Sequence, residues 1–110
     1  MESQTHKEGS YTVLTLSGEI DFHVSPKVRE AVLAGLDAGQ NLLVDLSGVS
    51  YIDSSGIASL VEGFQHAKGK SLSFALLGVR DGVMSVLKLT RLDKVFPMFD
   101  SVEAATAANK

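Results

Sequence analysis

The sequence predicts a single α/β domain built on a mixed β-sheet. Its 110 residues fit one ordinary domain, taken as residues 1–110. Short apolar runs alternate with stretches of helical periodicity, the pattern of strands interleaved with helices. A content of 45% hydrophobic and 21% charged residues belongs to a globular chain with a core, not to a disordered one.

Residues 1–9, MESQTHKEG, are polar throughout and read as a flexible N-terminal arm. YTVLTLSG, residues 11–18, alternates Tyr11, Val13 and Thr15 against Thr12, Leu14 and Leu16, a strand stopped by Ser17-Gly18. Glu19-Ile20-Asp21 is a short extended segment. Ser25-Pro26 opens a helix, with serine as N-cap and proline at the first helical position. Val28, Val32 and Leu36 mark its buried face, and Gly39 is its C-terminal stop. LLVDLS, residues 42–47, is the near-continuous apolar run of a strand covered on both faces. A loop follows from Gly48 to Asp53. Ile57, Leu60, Val61 and Phe64 then keep i, i+3, i+4, i+7 spacing, one helical stripe aimed at a core, and Gly69 ends that helix. SLSFALLG, residues 71–78, supplies another strand. Asp81 to Leu89 is a short helix burying Val83, Met84, Val86 and Leu87. Val95 to Phe99 is an edge strand broken by Pro97, and Ser101 caps a final alanine-rich helix.

Several function classes lose their footing. Thirteen acidic and ten basic side chains are spread along the chain, for a net charge of −3, so no basic cluster tracks a phosphate backbone and nucleic acid is not an expected partner. No apolar run approaches eighteen residues, and the amino terminus lacks the order of a signal peptide. A cytoplasmic protein without direct membrane insertion is expected. Zero cysteines exclude a disulfide framework, a CxxC pair and a thiolate metal site. His6, His23 and His66 are isolated surface residues. Asp21 and His23, two apart on an extended segment, lack a third metal ligand, and the glycines form no phosphate-cradling motif. No metal or cofactor is expected. Asp45 near a strand end resembles a receiver-domain phosphoacceptor. Receivers, however, carry an acidic pair where this chain has Ser17-Gly18.

The decisive stretch is SYIDSSGIASLVEGF, residues 50–64, where a strand pattern gives way to a helix pattern. Its D-S-S-G is not the G-x-S-x-G elbow of α/β-hydrolases, which disfavours a small serine hydrolase using Ser54. Ser54 at a helix start has two readings that spacing alone leaves open. It is an N-cap contributing about 1 kcal/mol, or it is an exposed phosphoacceptor. A phosphate at a helix N-terminus is tolerated by the fold and adds about −1.5 to −2 charges beside Asp53. The small residues Ser55, Ala58 and Ser59, with Glu62, are expected to form an exposed face that lets another protein approach closely.

Three blocks, LSGEIDFHVSPKVRE, LLVDLSGVSYIDSSGIASLV and LTRLDKVFPMFDSVEAA, occur in an order that resembles the STAS domain, specifically the free-standing bacterial anti-sigma-factor antagonists. The match runs from about Tyr11 to Ala105, and D-S-S-G with its following helix is the most specific part. The resemblance implies a four- to five-stranded mixed sheet with about four helices packed mainly on one side. It implies a non-enzymatic partner switch in a monomer or weak dimer. The unphosphorylated form binds an anti-sigma factor that is also a serine kinase, releasing sigma. The kinase phosphorylates Ser54 with its own ATP and thereby blocks binding, and a metal-dependent serine phosphatase restores the binding form. Asp21 and Asp53 would border the acceptor and contact the kinase, while Ser55 and Gly56 would shape the loop. Arg91 departs from the glycine that many members have in L-[TS]-G-L-D. It alters a loop backbone or adds a basic surface group and leaves the acceptor untouched. The alternative within the family is a subunit of a lipid-transport complex or a stress-signalling scaffold with a constitutive partner.

Overall fold

A computed structural model of the chain describes residues 1–108. In chain order the elements are β1 (Glu2–Glu8), β2 (Tyr11–Ile20), α1 (Ser25–Asp37), β3 (Asn41–Ile52), α2 (Ser54–Gly69), β4 (Phe74–Leu77), α3 (Asp81–Leu89), β5 (Met98–Phe99) and α4 (Val102–Ala108). The strands form one mixed sheet in the order β1-β2-β3-β4-β5, with β1 antiparallel to β2 and every later neighbour parallel. Among the described residues no helix is long and apolar enough to cross a membrane.

The two-residue period of the strands sorts the core into two layers. Leu14, Leu16 and Ile20 of β2, Leu42, Val44 and Leu46 of β3, and Phe74 and Leu76 of β4 pack with Val28, Val32 and Leu36 of α1, Leu60 of α2, and Val83 and Leu87 of α3. On the opposite face Tyr11, Val13, Leu43, Ala75 and Leu77 meet Ala105 of α4. Three helices therefore cover one face and a short fourth covers the other. Val86 and Met84 are half-buried beside Val83 and Leu87.

The expected flexible arm is corrected: residues 2–8 are strand β1, paired from Glu2↔Ser17 to Glu8↔Tyr11. Every β1 residue is exposed, so no apolar alternation marks it. Its backbone hydrogen bonds hold it, and Gly9, with φ +60, opens the two-residue turn that returns the chain into β2. Ser17-Gly18 likewise does not stop β2. The strand runs on to Ile20 through irregularities in its pairing with β3, one of them beside Gly18 at φ +89. The expected loop after Gly48 is the second half of β3, pairing Gly18↔Val49 and Ile20↔Ile52. Asp45 is thereby mid-strand and holds the Ser47 amide at 2.9 Å.

The helix ends follow one device. After α1, Gly39 N–H donates to Leu36 C=O and Gln40 N–H to Gly35 C=O. After α2, Ser71 and Leu72 donate to Lys68 and Ala67. After α3, Arg91 and Leu92 donate to Lys88 and Leu87. These are Schellman closures, whose first residue beyond the cap is left-handed. Gly39 (φ +82), Ser71 (φ +58) and Arg91 (φ +61) fill that position. Gly69 is therefore the last residue of α2 and not its left-handed stop. Ser101 does cap α4, its Oγ accepting the Ala104 amide at 3.1 Å. At the start of α1 the N-cap is Val24, which puts Ser25 inside the helix with its side chain buried.

Candidate functional site at the ends of β2 and β3

The pairing Ile20↔Ile52 brings the next residues of both strands, Asp21 and Asp53, to the same end of the sheet. The Asp53 N–H donates to the Ile20 carbonyl at 3.1 Å and ties the two ends together. Each aspartate then organises the turn that follows it. Asp21 Oδ1 accepts the amides of His23 at 3.0 Å and Val24 at 3.2 Å, curling the chain into α1. Asp53, in extended conformation, is the N-cap of α2. Its Oδ1 accepts the Ser55 amide at 3.0 Å, the Gly56 amide at 3.1 Å and the Ser55 hydroxyl at 2.6 Å. The Ser55 hydroxyl above all holds the Asp53 carboxyl below the ordinary aspartate range; desolvation pushes it upward, and the Gly56, Ser55 and Phe22 amides each add to the lowering. Asp53 is an anion at neutral pH.

This decides against the first of the two readings of Ser54, the N-cap. Asp53 is the cap, and Ser54 is the first residue of the helix proper. Its side chain is exposed and its hydroxyl has no hydrogen-bond partner among the described residues. The amides that would otherwise welcome an anion at this helix start are already held by Asp53. An exposed hydroxyl thus stands in solvent beside a fixed negative charge.

Gly56 sets the height of the helix start. A Cβ there would lie 2.6 Å from Ile52 Cγ1 and 2.8 Å from Ile20 Cγ2, so the first turn of α2 rests directly on the paired strand ends.

A family model for the STAS domain matches residues 2–105. The chain belongs to the STAS domain family. It is similar to the anti-sigma-B factor antagonist of Listeria monocytogenes, 32% identical over 81 residues that cover 73% of this chain and 71% of that one. Its fold superimposes on a crystal structure of an anti-sigma factor antagonist from Mycobacterium paratuberculosis with a TM-score of 0.87. The identity is 27%, covering 97% of this chain and 92% of that one. The Bacillus cell fate determinant SpoIIAA in its phosphorylated form shares the fold at a TM-score of 0.74 and 18% identity, over 97% and 99% of the two chains.

Within this STAS domain the face of small residues expected to be exposed is only partly so. Ser54, Ala58, Glu62 and Gln65 are exposed and lie on one helical face at spacings of four, four and three. Ser59 is a correction: it is 8% exposed, and its hydroxyl donates to Ser25 C=O of α1 at 3.3 Å and to Ser55 C=O at 3.2 Å. Ser55 is half-buried and Gly56 buried, so both shape the helix start and neither presents a side chain outward. Gly63 is buried against Val32 and Phe74. The small residues Ser59 and Gly63 serve close packing of α2 on α1, because α2 is covered on two sides and the Ile57-Leu60-Val61-Phe64 stripe registers one of them. Glu62 is tied to Arg29 of α1 at 2.6 Å.

Sequence reasoning missed three parts of the neighbourhood. Phe22, 65% exposed, stacks on His23 with ring centroids 4.1 Å apart, immediately after Asp21. Tyr51, 50% exposed, stands near the end of β3. A shallow groove runs from Ser54 along Ile57, Ala58 and Val61 to Thr90 and Leu92 beyond α3. An aromatic next to a motif aspartate was the available signal for Phe22; nothing marked the groove, which joins distant segments.

Proposed function

We propose that this STAS domain is an anti-sigma-factor antagonist that works by partner switching. The unphosphorylated form binds an anti-sigma factor that is also a serine kinase, which frees the sigma factor. Transfer of the γ-phosphoryl group of ATP to Ser54 Oγ releases ADP and a proton, and blocks that binding. A metal-dependent serine phosphatase restores the hydroxyl. The chain itself performs no catalysis.

One observation carries this reading: the Ser54 hydroxyl is exposed and unbonded because Asp53 has taken over the cap. A side chain relieved of structural duty can be modified without unfolding the helix it begins. The added charge has no free amide pair to neutralise it and adds to the Asp53 anion, so an approaching surface meets a doubled negative patch. The similarity to proteins named anti-sigma factor antagonists points the same way, as does the existence of a protein of this fold in a phosphorylated form. Asp21, Asp53, Ala58 and Glu62 border the contact.

Incubation with a serine kinase of the anti-sigma factor class and Mg-ATP is expected to add one phosphate, at Ser54, read by mass spectrometry of the digested protein. Phosphate at Ser55 or elsewhere, or none, contradicts the assignment.

A further inference from the structure

The groove beside Ser54 ends on the turn that closes α3, and that turn holds an arginine in an unfavourable backbone conformation. Thr90 and Leu92 line the groove, and Arg91 stands between them, exposed, at φ +61. The Schellman closure there, with Arg91 N–H on Lys88 C=O at 3.1 Å and Leu92 N–H on Leu87 C=O at 2.8 Å, is a position glycine fills without a Cβ penalty. Ser71 adopts the same conformation after α2 but brings no charge. A charged side chain held in a strained position points to a use outside the fold.

The charge and apolar pattern around Arg91 indicates that use. Lys88, Arg91 and Lys94 are all exposed along this turn, with Asp93 as the one acid among residues 88–94. Glu62 and Gln65 of α2 also line the groove, and the Glu62 carboxylate is engaged by Arg29 at 2.6 Å. The groove wall is apolar at Ile57, Ala58, Val61 and Leu92. Leu89, on the same turn, is 86% exposed. An apolar slot beside a basic turn fits an acidic segment that carries an apolar side chain.

We propose that Arg91 is a specificity-determining residue of the partner surface: it pairs with a carboxylate of the anti-sigma factor while an apolar side chain of that partner seats in the groove between α2 and the α3 turn. The inference rests on the antagonist reading above and adds to it the chemistry of the partner's contact. Favourable interaction of basic groups with the C-terminal dipole of α3 is the competing explanation. That role would alter stability and leave affinity alone.

The test measures affinity for a serine kinase of the anti-sigma factor class, and its phosphorylation of Ser54, at low and high salt, for the wild type, Arg91→Gly and Arg91→Glu. Arg91→Gly is expected to melt no lower than the wild type, to bind roughly tenfold more weakly at low salt, and to show a shallower salt dependence. Arg91→Glu is expected to bind roughly a hundredfold more weakly, since it places like charges together. Wild-type affinity in both variants overturns the assignment, as does a loss of affinity in Arg91→Gly matched by a lowered melting temperature. If Ser54 is phosphorylated while the Arg91 variants bind unchanged, the role of Arg91 alone fails. A wild type that neither binds nor accepts phosphate overturns the functional reading beneath it.

Discussion

The Ser55 hydroxyl donates to Asp53 Oδ1 at 2.6 Å, and that oxygen also accepts the Ser55 and Gly56 amides. The aspartate of D-S-S-G is thus the structural residue of the motif, and the serine after it is the dispensable one for stability. Asp53→Ala is expected to lower the melting temperature by roughly 5 °C, the usual consequence of losing a cap in a domain of this size. Ser54→Ala is expected to change stability by less than about 0.5 kcal/mol. Thermal unfolding of the two variants separates the roles; equal losses would return the cap to Ser54.

Acid titrates the same cap. The folded state holds Asp53 below its ordinary value of 3.8, chiefly through the Ser55 hydroxyl. A depressed carboxyl contributes stability that is complete above the unfolded-state value, about pH 4, and is lost as pH falls through the folded-state value. Asp53→Asn keeps an oxygen that can cap but not the ionisation. The stability gap between wild type and Asp53→Asn should therefore be constant from pH 7 to about 5 and shrink below about pH 4. Urea midpoints across that range check it. Asp37, lowered by its hydrogen bond to His66, adds acid sensitivity to both proteins alike and cancels in the difference.

Two glycines of one helix should respond in opposite directions. A Cβ at Gly56 would meet Ile52 and Ile20, whereas one at Gly69 meets nothing within 4 Å. Gly56→Ala is expected to cost about 1–3 kcal/mol by overpacking the strand ends. Gly69→Ala, in the last turn of α2, is expected to be neutral or to stabilise by up to about 1 kcal/mol. Chemical denaturation reads both.

Ala58 and Ser59 are neighbours in sequence with opposite assignments. A bulky residue at exposed Ala58 should leave the circular dichroism spectrum unchanged and weaken kinase binding. Ser59→Leu should destabilise the domain, because the buried hydroxyl lies between α1 and α2. A destabilised Ala58 variant would mean that this face packs inside the molecule.

The sequence was most informative where burial is two-sided or periodic. The runs at 42–47 and 71–78 and the helix over 81–89 carry strong apolar signals, and the structure builds β3, the shorter β4 (Phe74–Leu77) and α3 on them. It was silent where backbone pairing alone holds an element. β1 has no buried side chain, and the second half of β3 is rich in serine and glycine, so both look like loops until β2 is seen beside them. At the site, D-S-S-G placed the helix start near Ser54, where α2 begins. Spacing could not say which of Asp53 and Ser54 caps, since both residue types do so readily. Ser59 was misplaced because a single apolar stripe conceals a second covered side formed by small residues. Arg91 was visible as a departure from the family glycine, but its left-handed backbone and its place beside the groove are properties of the folded chain.

The most direct test titrates one kinase with this protein in two forms, unmodified and fully phosphorylated at Ser54, under identical salt and nucleotide. With phosphate placed beside the Asp53 anion and no free amide pair to absorb it, the phosphorylated form is expected to bind roughly a hundredfold more weakly while melting within a few degrees of the unmodified form. Equal affinities would contradict the account, and so would a weakened form whose loss of affinity is explained by a collapsed melting temperature.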